Sequence, residues 1–163
     1  MESKAPQIIE PGRKETQENA GYNIDTGVPA KIPNWAKDIK EHDTSLGVIE
    51  WSKEKYKDSL FFSPKQLAGK KVGAEELLAL LKKQEIPVLN INVLNFLLVN
   101  KDQIPEEWRG KKIFFWGTII SELGGRESVC YLEEDGSNWI SDHHWLDHEL
   151  LSRMPAVMFS DSK

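Results

Sequence analysis

The segment KKIFFWGTII, Lys111 to Ile120, carries apolar residues on both parities of an extended backbone. Ile113, Phe115 and Ile119 point one way, and Phe114, Trp116 and Ile120 the other. A strand with one wet face alternates apolar and polar residues, so this pattern predicts a strand covered on both faces. Two turn signals follow, LGGR at 123–126 and EDGS at 134–137, each with a favoured hairpin pair at its centre. They predict a three-stranded antiparallel meander over about 112–121, 128–134 and 138–146. With two-residue loops at Gly124-Gly125 and Asp135-Gly136, Ile119 faces Cys130, Gly117 faces Leu132, and Leu132 faces Trp139. One face then carries Phe114, Trp116, Ile120, Val129, Tyr131, Asp142 and His144. The other carries Phe115, Gly117, Ile119, Cys130, Leu132, Trp139, His143 and Trp145. Gly117 leaves room there for a large ring to lie flat.

Upstream the period is helical. PNWAKDIKEH (33–42) places Trp35 and Ile39 four apart and predicts a short amphipathic helix. GVIEW (47–51) fits either a short strand or a helix entry. In FFSPKQLAG (61–69), Ser63 suits a cap, Pro64 a first turn and Gly69 a stop. GAEELLALLKKQ (73–84) has a leucine stripe, acids at its start and lysines at its end, as the helix dipole prefers. LNINVLNFLLVN (89–100) predicts a second helix capped by Asn90 or Asn92, and IPEEWRG (104–110) a helical turn with Trp108 inward. HELLSRM (148–154) predicts a helical turn and PAVMFS a short final strand. Residues 1–32 are polar, with scattered proline and glycine and no periodicity, and predict a disordered tail. The expected architecture is a single α+β domain over 33–163. A helical amino-terminal half packs on a carboxy-terminal three- to four-stranded antiparallel meander. Three strands with two apolar faces leave one question: whether the second face meets the same chain, a second copy or a ligand.

Composition narrows the function classes. The chain has 163 residues, a formal net charge of −5 and 39% hydrophobic residues. These are globular values, and the acidic balance disfavours a nucleic-acid partner, whose grip comes from Lys and Arg. The single cysteine, Cys130, excludes an intramolecular disulfide and a cysteine-based zinc site. MESKAPQIIE has no apolar core of a secretory signal, and Val88–Val99 is too short to cross a bilayer. A cytoplasmic location with no membrane partner is therefore expected. GxGxxG, Walker, GxSxG, HExxH and EF-hand patterns are absent from the chain, and no cofactor is implied.

The stretch from SLFFSPKQLAGKKVGAEELLALLK through VLNINVLNFLL, IPEEWRGKKIFFWGTII and WLD, about residues 59–158, resembles a family of small uncharacterised bacterial proteins. The resemblance implies one domain and the end of the tail, and no activity. The family pattern has no histidine pair before WLD, so it implies no metal role for His143 and His144.

Three constellations carry candidate chemistry. SDHHWLDHE (141–149) concentrates Asp142, His144, Asp147 and His148, a ligand set for a divalent ion in a small metal-dependent hydrolase. Strand geometry sends His143 and His144 to opposite faces, which works against a shared metal. Cys130 and His143 share a face, the minimum for covalent catalysis, although a cysteine between Val129 and Tyr131 reads first as a buried hydrophobe. Phe115, Trp116, Trp139, Trp145 and His143 form the third set, an aromatic binding surface on the sheet. The leading expectation is a non-enzymatic interaction module using that surface on a protein partner or its own copy. The alternatives are the hydrolase and a carbohydrate- or nucleotide-binding module, which needs Trp139 and Trp145 exposed and coplanar.

Overall fold

A computed structural model describes residues 21–161. In chain order the elements are β1 (Tyr22–Asp25), β2 (Ala36–His42), β3 (Val48–Trp51), α1 (Lys53–Tyr56), β4 (Leu60–Phe61), α2 (Pro64–Leu67), β5 (Val72–Gly73), α3 (Ala74–Lys83) and α4 (Ile91–Val99). Two 3-10 turns, Lys101–Gln103 and Glu106–Trp108, lead to β6 (Ile113–Phe114), β7 (Thr118–Glu122), β8 (Glu127–Asp135), β9 (Asn138–Trp145), β10 (Glu149–Leu150) and β11 (Ala156–Val157).

The expected helical half on a small meander is overturned. The fold is strand-rich, and its centre is a seven-stranded mixed sheet in the order β2-β7-β8-β6-β11-β4, with β9 on the other side of β8. β11 runs parallel to β6 and antiparallel to β4, so the last strand inserts between two earlier ones. Sequence periodicity did not show this, because two-residue strands carry no period. The segment 33–42 is strand β2, not a helix. Two register irregularities against β7, at Ala36/Asp38 and Ile39/Glu41, break its alternation and imitate a helical spacing. HELLSRM holds β10, paired with β5, instead of a helical turn. The tail also ends earlier than 32. Tyr22–Asp25 pairs with β3 from Tyr22↔Trp51 to Asp25↔Val48, while residues 1–20 lie outside the described residues.

Local helix grammar held where it was specific. Ser63 caps α2 with a reciprocal capping box: its hydroxyl accepts from Gln66 N, and Gln66 Oε1 accepts from Ser63 N at 2.9 Å. Gly69 follows at φ 77°. Asn90 caps α4 through Asn92 N at 3.0 Å. The other polar positions of LNINVLN have a tertiary purpose. The Asn90 amide donates to Thr26 O and Asp43 O, Asn92 to Asp25 O and Val28 O, and Asn95 to Lys31 O. This column of amides fastens the end of β1, the segment after it and the loop after β2 to α4, satisfying carbonyls that carry no ladder partner.

The strand that opened the question is broken. Between Phe114, opposite Tyr131, and Ile120, opposite Ser128, the β6–β7 chain advances six residues while β8 advances three. Phe115 N still donates to Cys130 O, so the three extra residues lie between Phe115 and Ile120. The insertion is odd in number and the first hairpin loop holds three residues, Leu123, Gly124 and Gly125, instead of Gly124-Gly125 alone, so Ile119 does not face Cys130, and Ile119 and Ile120 exchange the faces expected of them. Ile120 joins the core on one side with Phe115, Cys130, Leu132 and Trp139, covered by Trp51, Tyr56, Leu94, Leu97 and Trp108. Ile119 joins the other with Phe114, Trp116, Val129 and Tyr131, covered by Leu77, Leu81, Leu146 and Leu150. Both apolar faces are thus buried by the same chain. Layers on each side of β8 remove the reason to place a second copy over either face. Among the described residues no helix is long and apolar enough to cross a membrane.

Candidate functional site

The aromatic platform expected on the sheet dissolves into the two cores. Phe115, Trp116 and Trp139 are 0%, 2% and 8% exposed, so none offers a ring face to solvent. Trp139 and Trp145 are not both exposed, and the stacking surface for a sugar or base does not form. Gly117 is no seat for the Trp139 ring either. It lies against Asn90, where a Cβ would come within 2.9 Å of the asparagine backbone. The second hairpin loop is Gly136-Ser137, between the pair Asp135 and Asn138, instead of Asp135-Gly136. Its shift of two positions keeps the parity, so His143 and Trp145 still share the Cys130 face.

What remains at the surface is a cluster at one edge. His143 and Trp145 are half-buried on β9. The Trp35 ring, 39% exposed, stacks on His143 at 4.1 Å and 28°. Trp35 precedes β2, three strands away from β9 through β7 and β8, so the sheet curls to bring the two together. Glu122, the last residue of β7, joins them from below. Its Oε2 accepts from Trp145 Nε1 at 2.9 Å and lies 2.8 Å from His143 Nδ1. The histidine contact has ion-pair distance without hydrogen-bond alignment, and Nδ1 has no hydrogen-bond partner. Arg126 lies over the Trp145 ring at 3.5 Å, a cation–π distance, and forks onto Asp147 at 3.1 and 3.3 Å. Arg126 holds the Asp147 carboxyl below its ordinary pKa.

The Asp/His cluster does not converge. Asp142 Oδ1 accepts from the His143 backbone N at 2.8 Å. His144 is on the opposite face, its ring edge on Phe114 and its Nε2–H donated to Glu149 O at 3.0 Å. Burial pulls its pKa below 6.5. His148 Nε2 accepts from Arg126 Nη2 at 3.1 Å. Among the described residues no group of three His, Cys, Asp or Glu side chains is placed to hold a metal ion. Cys130 pairs across the ladder with His143, but it is 3% exposed. Burial, with Asp142 and Glu122 nearby, pushes its thiol up to about 12. Native protein at pH 7 is expected to resist iodoacetamide, with one equivalent of alkylation appearing only in denaturant. Intact-mass spectrometry reads both states, and rapid native alkylation would show a thiolate that burial forbids.

The backbone of β9 completes the site. Its eight residues pair one for one with β8, from Ser128↔Trp145 to Asp135↔Asn138, and among the described residues its other side pairs with no strand. Cys130 O accepts from Phe115 N on the far side of β8, and Leu146 N donates to Glu127 O. Antiparallel alternation then turns the N–H and C=O groups of Trp139, Ser141, His143 and Trp145 away from β8. Trp35, Glu122 and Arg126 were missed in the sequence. Trp35 read as the apolar face of a short helix and Arg126 as a turn residue, and nothing local announces that a curled sheet assembles them.

No family model, no curated protein and no solved structure matches the chain.

Proposed function

We propose that this protein is a non-enzymatic interaction module that takes up an extended segment of a partner protein along the open edge of β9. The observation that carries the reading is the regular, unbulged pairing of all eight β9 residues with β8 on one side and, among the described residues, no strand on the other. An unpaired strand edge of that length is a template for strand addition, in which main-chain bonds supply affinity and neighbouring side chains supply choice. Trp35, His143, Trp145 and Arg126 stand beside this edge. Exposed tryptophan and arginine are the residues that most often anchor protein contacts. The opposite end of this curled region, β2, is blunted by its two irregularities. A second copy is the poorer occupant. Ser141 and Asp142 are the midpoint of β9, so a two-fold antiparallel pairing would bring the two Asp142 carboxylates opposite or diagonal to each other, where like charges repel.

Ser141→Pro tests the reading. The Ser141 N–H points outward, so proline removes an edge donor without touching the β8 ladder. Immobilised wild-type protein is expected to retain partner proteins that Ser141→Pro loses, with the melting temperatures of the two within a few degrees. In the complex the outward amides of Ser141 and Trp145 should slow in hydrogen exchange. Retention of the same proteins by folded Ser141→Pro would overturn strand addition. So would a concentration-dependent dimer that Ser141→Pro abolishes, since the occupant would then be a second copy.

A further inference from the structure

The edge of β9 is not bare along its whole length. Of the outward N–H groups of Trp139, Ser141, His143 and Trp145, the one at His143 is already taken. It donates to Asp142 Oδ1 at 2.8 Å. The β8 ladder makes no use of this N–H, because Cys130 and His143 face each other as a pair whose main-chain groups point apart. The Asp142 carboxylate therefore leans around the edge and closes a donor that an added strand needs. The same contact recurs on β2, at the opposite end of the curled region, where Ile39 N donates to Asp38 Oδ1 at 2.8 Å. A charge set on an exposed strand is a common guard against indiscriminate pairing.

Asp142 is placed to leave the edge. Its side chain is 57% exposed, and His143 Nε2 is 3.9 Å from Oδ1, beyond hydrogen-bond length. Among the described residues no lysine or arginine pairs with it. Across β8, Tyr131 faces Asp142 and Glu133 faces Ile140, so Glu133 is its diagonal neighbour on the same face. Lys112 holds its ammonium over the Tyr131 ring at 5.0 Å, but it precedes β6, on the far side of β8 from the edge. A residue of an added strand directly beside Asp142 would come within about 5 Å of it, Cβ to Cβ. A cation there takes up the displaced carboxylate, a neutral residue leaves it to water, and an anion repels it.

We propose that Asp142 guards the β9 edge, and that the partner is an extended segment of another protein with a lysine or arginine beside Asp142, which draws the carboxylate off the His143 N–H as the strand adds. This rests on the strand-addition reading and narrows it to basic segments. It also gives the second copy a further disadvantage, since that copy brings its own Asp142.

The guard is read first in the free protein. The His143 amide, corrected for its intrinsic rate, is expected to exchange several-fold slower than the outward amides of Ser141 and Trp145. Asp142→Ala should remove the difference, whereas Asp142→Asn keeps an acceptor and should retain it. Equal exchange of the three amides in wild type would overturn the guard. Selectivity is read with the peptides acetyl-Thr-Val-Thr-Val-Xaa-Val-Thr-Val-Thr-amide, Xaa being Lys or Glu, titrated into the full chain and followed by the Ser141 and Trp145 amide shifts. The valines then share one face and Xaa the other. Wild type is expected to bind the lysine peptide about tenfold tighter than the glutamate peptide, an attractive against a repulsive cross-strand pair. Asp142→Ala and Asp142→Asn should each bind the two within about twofold. Asp142 is exposed, so both variants are expected to fold. A lysine preference that survives in them would overturn the proposal. So would equal binding of the two peptides by wild type; if Ser141→Pro then lost both, strand addition would stand without the guard. Absence of lysine-peptide binding at about 1 mM, above ordinary weak affinities, would also overturn the proposal. Strand addition itself is judged separately, by Ser141→Pro against the retained partner proteins.

Discussion

Gly117→Ala is expected to destabilise the protein by about 3 kcal/mol or more, a fall in melting temperature of roughly 6–12 °C for a domain of this size. The reason is contact, not conformation, for Gly117 is not among the glycines at positive φ. A Cβ at this position would lie 2.9 Å from each of Asn90 N, Cα and Cβ. No flexible side chain can swing away, because the obstacle is the backbone at the start of α4. Either the helix moves or the bulge moves. Movement breaks the bonds that clamp the bulge, Gly117 N to Leu89 O at 2.9 Å and Asp43 N to Gly117 O at 2.7 Å. It also disturbs the column of amides that begins at Asn90. Gly124→Ala is the control. Gly124 has φ 91° and nothing within 4 Å of its Cβ position, so alanine costs only the left-handed backbone, about 1 kcal/mol. Thermal melts of both variants check the pair. A Gly117→Ala loss no larger than that of Gly124→Ala would mean that the bulge yields without resistance.

The same glycine shows how far the sequence could be read. Its presence inside an apolar strand signals a close approach. The sequence does not say what approaches, and the ring expected there proved to be a helix start. The pattern of 111–120 was sound as far as it went: a strand covered on both faces is what the chain builds. The three-residue insertion between Phe115 and Ile120 then exchanged Ile119 and Ile120, since bulges leave no mark in a hydrophobic count. β2 failed for the same reason in reverse. Its two irregularities in seven residues broke the period of two, and Trp35 and Ile39 then looked like a helical pair. Helices α2, α3 and α4 were legible because caps, breakers and charges repeat the message of the period. The site fared worst. His143 and Trp145 were placed on one face correctly, while Phe115, Trp116 and Trp139 went to the cores, because aromatic residues in strands serve burial before they serve recognition. Trp35, Glu122 and Arg126 join His143 and Trp145 only through the curl of the sheet, which no local signal encodes.

Trp51→Ala is the second large expected effect, and it probes the part of the fold that sequence reading underestimated. Trp51 ends β3 and is 0% exposed. Its ring stacks on Tyr56 at 4.2 Å and 9° and meets Trp108 edge-on at 5.9 Å. Its Nε1–H donates to Gln103 O at 3.0 Å. Four stretches therefore meet on one side chain: the β1–β3 pair, α1, and the two 3-10 turns before β6. Truncation removes a bicyclic ring from a closed core, about 3–5 kcal/mol, and strands the Gln103 carbonyl, roughly another 1 kcal/mol. Trp51→Phe keeps one ring and loses the donor, so its cost should fall near half of that. Denaturant melts followed by far-ultraviolet circular dichroism and by tryptophan fluorescence should shift together, because the layer that Trp51 joins is continuous with Phe115, Leu132 and Trp139 on the central sheet. A loss below about 1 kcal/mol, or a separation of the two probes, would make the β1–β3 layer an appendage that melts by itself. A single large shift would make the segment from Tyr22 onward an integral wall of the domain, and the β9 edge then rests on a sheet held rigid from both sides.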